Sequence, residues 1–60
     1  MVIHEFIITL EDVKTGAQES FDFIAISDNY FEAWQEALNF GSEKLKALFP
    51  KFTKIASIES

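Results

Sequence analysis

Sixty residues form one domain, and with no cysteine and a single histidine the chain has neither disulfides nor the thiolate and imidazole clusters that zinc prefers. Hydrophobic residues make up 48% of it and seven of the sixty are Phe, which excludes the composition of a disordered segment. The net charge of −5 argues against a nucleic-acid binder, which presents a basic face to phosphate.

Val2 to Leu10 is rich in β-branched and aromatic residues and predicts a first strand. Alternation places Val2, His4, Phe6, Ile8 and Leu10 on one face, the better core face, with Ile3, Glu5, Ile7 and Thr9 on the other. Glu11 to Gln18 is a polar connector whose Lys14-Thr15-Gly16 stretch suits a turn with Gly16 left-handed. A second strand follows from about Glu19 to Ser27. In it Phe21, Phe23 and Ala25 oppose Ser20, Asp22, Ile24 and Ile26. Two extended runs joined so briefly predict an antiparallel hairpin.

Ser27, Asp28 and Asn29 are all good helix N-caps, and Asn29 followed by Glu32 has the spacing of a capping box. At 100° per residue, Tyr30, Phe31, Trp34, Ala37, Leu38, Gly41, Leu45, Leu48 and Phe49 fall within one stripe, which predicts a helix with that face inward. Pro50 disfavours helical backbone at Phe49 and ends the helix there. Gly41 costs about 1 kcal/mol relative to Ala inside a helix. Its place in the apolar stripe suggests a close approach to the sheet. Lys51 to Glu59 predicts a third strand, with Phe52, Ala56 and Ile58 opposed to Thr53, Ile55 and Ser57 and neither face clearly apolar.

Connection rules assemble these pieces. The strand-helix-strand crossover sets the third strand parallel to the second and packs the helix on one sheet face. The expected fold is therefore α+β, a single ββαβ domain over residues 1–60. Its three-stranded antiparallel sheet runs in the order second-first-third, with one helix on one face.

No catalytic, cofactor-binding or metal-binding constellation is expected. His4 has no nucleophile or orienting acid beside it in the sequence pattern, and the helix acids occupy a solvated face. No apolar run approaches the roughly 20 residues that span a bilayer. The start of the chain lacks the basic region and cleavage site of a signal peptide, so a cytoplasmic protein is expected.

Three surfaces stand out instead. If Phe21, Phe23 and Ala25 face the helix, then Ile24 and Ile26 join Ile3 and Ile7 on an uncovered sheet face, with Ile55 added when Phe52 and Ile58 turn inward. Such a patch exceeds what a monomer ordinarily exposes and predicts self-association, a homodimer through the sheet. A helix flank of Ala33, Phe40 and Ala47, seven residues apart, suits a knob meeting a second helix. Asp22, Asp28, Glu32, Glu36 and Glu43 form an acidic run with little compensating base. That run suggests an alternative: an inhibitor or adaptor of phage or mobile-element type that binds a basic protein or mimics nucleic acid.

Overall fold

The computed structural model describes residues 1–60, and its elements are β1 (Val2–Glu11), β2 (Gln18–Ser27), α1 (Tyr30–Leu48) and β3 (Lys54–Glu59). The sheet order is β2-β1-β3, antiparallel at both junctions, with the helix packed on one face. The ββαβ architecture is the one the connection rules select.

The hairpin pairs ten residues of each strand without a slip, from Val2 opposite Ser27 to Glu11 opposite Gln18. Its turn is closed by Asp12. The Asp12 N–H donates to the Ala17 carbonyl at 2.9 Å, its own carbonyl accepts from Gly16 N–H at 2.8 Å, and its Oδ1 accepts from Lys14 N–H at 3.0 Å. Gly16 takes φ 77°, the left-handed region where glycine avoids the Cβ clash.

β1 is the central strand over Ile7 to Glu11, and its inward residues form the heart of the core. Phe6 is 1% exposed, and Ile8 and Leu10 are fully covered. Ala25 and Ser27 from β2 and Phe52 from the connector before β3 complete the buried set on this side. The third strand thus begins later than its predicted Lys51, and Phe52 is buried outside it.

The helix is rolled relative to the predicted stripe. Its buried residues are Ala33, Ala37 and Gly41, while Tyr30, Phe31 and Phe49 are more than half exposed. The physical reason is distance. A Cβ built at Gly41 would lie 3.1 Å from Ile8 Cγ2 and 3.3 Å from Ile55 Cδ1, so the axis comes too near the sheet for large side chains beneath it. Bulky residues therefore straddle the contact: Phe40 stacks on Phe23 at 4.8 Å on the β2 side, and Tyr30 tilts over Phe6 at 5.9 Å.

Asn29 caps the helix as its spacing predicts. Its Oδ1 accepts from Phe31 N–H at 2.8 Å and from Glu32 N–H at 3.4 Å. Asn29→Ala should destabilise the domain by about 1 kcal/mol. The check is a urea titration in which the midpoint falls and the slope is retained.

β3 carries the one irregularity in the sheet. Leu10 pairs with Ile55 but Thr9 pairs with Ser57, so Ala56 is an extra residue, a β-bulge. Residues directly opposite one another share a sheet face. Both Ile55 (with Leu10) and Ile58 (with Ile8) therefore turn toward the helix, although strict alternation would separate them. The predicted membership of Ile55 in the outer patch is corrected here: it packs on the core beneath Gly41.

Candidate interaction surface

Strand pairing arranges the helix-free face in rows. Ile3 lies opposite Ile26, Glu5 opposite Ile24, and Ile7 between Asp22 on β2 and Glu59 on β3. Beyond these come a hydroxyl row, Ser20-Thr9-Ser57, and a polar row, Gln18-Glu11-Lys54. One half of the face is therefore apolar and the other polar. Ile3, Ile7, Ile24 and Ile26 are 64%, 49%, 59% and 57% exposed. Four neighbouring isoleucines with that much free surface form a contiguous patch of a few hundred Å², at the upper end of what a monomer shows.

The charge of the apolar half is one-sided. Glu5 sits beside Ile24, and Asp22 and Glu59 flank Ile7. The only base on this face is Lys54 at the far end, engaged with Glu11 at 3.6 Å. A shallow depression of about 240 Å³ opens between Glu5, Asp22 and Ile24. It is smaller than the roughly 300–1,000 Å³ of small-molecule sites.

The predicted helix flank is a different object from the open stripe of the sequence. Ala33 is buried against the sheet and Phe40 is half-buried in its stack with Phe23, so of the three only Ala47 is exposed. The same close approach that rolled the helix turned this flank toward β2.

The predicted acidic run divides between two sides. Asp22 lies on the helix-free face and Asp28 in the exposed connector, whereas Glu32, Glu36 and Glu43 project from the helix. Two of the helix acids have local partners: Glu32 accepts from Ser27 Oγ at 3.3 Å, and Glu43 pairs with Lys46 at 3.8 Å. The acids that matter for the patch are Glu5 and Asp22, which alternation already places on this face, and Glu59, whose place beside Ile7 is visible only once the register of β3 is known.

His4 is occupied structurally. Its Nε2 donates to the Ser27 carbonyl at 3.1 Å, and its ring meets the edge of Tyr30 at 5.7 Å. No three His, Asp or Glu side chains converge to a metal-sized cluster, and no helix is long and apolar enough to cross a membrane.

Comparison with protein-family models, with curated proteins and with solved structures finds no match to this chain.

Proposed function

We propose that the chain is a non-catalytic protein-interaction module that docks through the isoleucine half of its uncovered sheet face. The observation that carries this is the row structure itself. Ile3, Ile7, Ile24 and Ile26 lie side by side on the face opposite the helix, each about half exposed or more. A single helix covers only one side of a three-stranded sheet, and a patch of this size marks an interaction site more often than an inert surface.

The acids within the patch favour one kind of occupant, a partner that is both apolar and basic. A second copy laid apolar half to apolar half would gather two sets of Glu5, Asp22 and Glu59 at one interface with no base among them, and like charges at an interface cost several kcal/mol. A basic apolar partner would neutralise those acids while covering the isoleucines. This supports the adaptor or inhibitor class over face-to-face self-association. The compartment expected for such a module is the cytoplasm.

Ile26→Lys tests the proposal without threatening the fold, because an exposed substitution of this kind ordinarily changes stability by no more than about 0.5 kcal/mol. Proteins retained by the immobilised wild-type chain and by the variant would be compared at low and high salt. The expected result is a partner lost with Ile26→Lys and weakened by salt. Identical capture by both chains, or capture that ignores salt, would count against the isoleucine face.

A further inference from the structure

The two edges of the sheet are built differently. β3 is six residues long, carries a bulge at Ala56 and begins with Lys54, all devices that discourage edge-to-edge pairing. The outer edge of β2 runs ten residues, Gln18 to Ser27, with no proline, no lysine and no slip in its pairing to β1. Nothing covers it. The Asp12 N–H donates to the Ala17 carbonyl across the hairpin, while the Glu11 carbonyl accepts from Thr53 N–H on the opposite side. Alternation along antiparallel strands then aims the N–H and C=O of Ser20, Asp22, Ile24 and Ile26 out of the sheet.

We infer that this edge joins a second copy of the chain, β2 against β2 antiparallel about a two-fold axis at Phe23, to give one six-stranded sheet with both helices on the same face. Two properties select the register. An axis at Asp22 would set that acid directly opposite itself, which is unfavourable. An axis at Phe23 overlaps nine of the strand's ten residues, Glu19 to Ser27, and places Asp22 opposite Ile24 and Phe21 opposite Ala25 of the other copy.

The helices support the same axis independently. Phe40 stacks on Phe23, and Lys44 Nζ lies 5.0 Å from the centroid of Phe21, so the helix runs antiparallel to β2 with Phe40 level with the axis. Four residues of helix advance about 6 Å and two strand residues about 6.6–6.8 Å, so Glu36 falls level with Ala25. Across the axis Ala25 meets Phe21, which brings Glu36 of each copy alongside Lys44 of the other. Glu36 has no partner within its own chain, and the small exposed Ala47 leaves the flank open.

The joined strands set the two β1 strands about 14 Å apart, at three strand spacings. Phe40 and the long Glu36 and Lys44 side chains can span such a gap. The contact lies along the long side of a body measuring 40 × 16 × 14 Å. The overlapped strands run about 30 Å, so in outline the contact is on the order of 450 Å² per partner, below the roughly 800 Å² of a standard interface, which places the join among the weaker ones. The two surfaces share β2, whose Ile24 and Ile26 side chains serve the face while its outward backbone serves the join. Ile3 on β1 belongs to the face alone and Glu36 and Lys44 to the join alone, so these residues let either proposal fail by itself.

Sedimentation of charge-swapped chains tests the join. Glu36→Lys and Lys44→Glu should each weaken the dimer by about tenfold, since each turns two attractive contacts repulsive. The double swap should restore wild-type affinity. Residues 36 and 44 are too far apart along the helix to compensate within one chain. Amide exchange supplies a second readout: protection of Asp22 and Ile24 should rise with protein concentration. A chain that stays monomeric, a double swap no tighter than either single, or a dimer broken by Ile3→Lys with Asp22 and Ile24 still unprotected would overturn the edge join.

Discussion

Phe6→Ala should abolish cooperative unfolding at room temperature, whereas Trp34→Ala should leave a folded domain with a lowered urea midpoint. A chain of this length holds about 3–9 kcal/mol of stability, and truncating a fully buried Phe removes about 3–5 kcal/mol. Phe6 is 1% exposed on the inward face of β1, beside Ile8 and under the ring of Tyr30. Its loss leaves a cavity that the neighbouring strands cannot close without moving the helix. Trp34 is larger, but it is only half-buried and packs at the margin of the core. Its truncation should cost about 1–2 kcal/mol, within the ordinary range for a side chain that keeps part of its surface in water. Far-UV circular dichroism against urea separates the two. Equal damage from both substitutions would mean that Trp34 carries as much of the core as Phe6.

That contrast also measures how much of the fold was legible in the chain. The inward face of β1, the Asn29 cap and the strand order followed from period-two alternation, capping chemistry and the rule of short, uncrossed connections. These are local or topological rules, and each acts on residues whose types are unambiguous. The roll of the helix was not legible, because a wheel weighs hydrophobicity and therefore centres on Trp34 and Leu38. A helix pressed against a sheet centres on whatever is small enough, here Ala33, Ala37 and Gly41. The sign was present in the four-residue spacing of those three small residues, had size been weighed with polarity.

β3 failed in a different way. Alternation alone sends Ile55 outward whenever Ile58 turns in, and only the bulge at Ala56 lets both face the helix. A bulge has no reliable one-residue signature, so the outer patch lost one predicted member and kept four. Of its acids, Glu5 and Asp22 were readable by alternation and Glu59 was hidden, since it reaches Ile7 only through the register of β3. Isoleucines on one face were readable from each strand separately. Their electrostatic setting needed three strands at once, and it is that setting which separates a basic partner from a second copy.

Gly41→Leu should be the most damaging single change in the helix, despite improving its intrinsic propensity by up to about 1 kcal/mol. A Cβ at this position already stands 3.1 Å from Ile8 Cγ2 and 3.3 Å from Ile55 Cδ1. Ile55 Cδ1 is the far end of a side chain and can swing aside. Ile8 Cγ2 is fixed to a β-branched carbon on the middle strand, fully covered, and can yield only if the strand moves. Gly41→Ala therefore sets a propensity gain of about 1 kcal/mol against a few tenths of an ångström of displacement, and should come out near neutral. Leu adds three further carbons with nowhere to go, and overpacking of that kind costs about 1–3 kcal/mol beyond any gain. The helix would lift from the sheet, lengthening the Phe23–Phe40 stack of 4.8 Å and loosening the flank on which the β2 join depends. Urea midpoints should thus rank wild type and Gly41→Ala together, with Gly41→Leu far below. A Leu variant as stable as the wild type would show that the helix rides higher over Ile8 than the contact distances require.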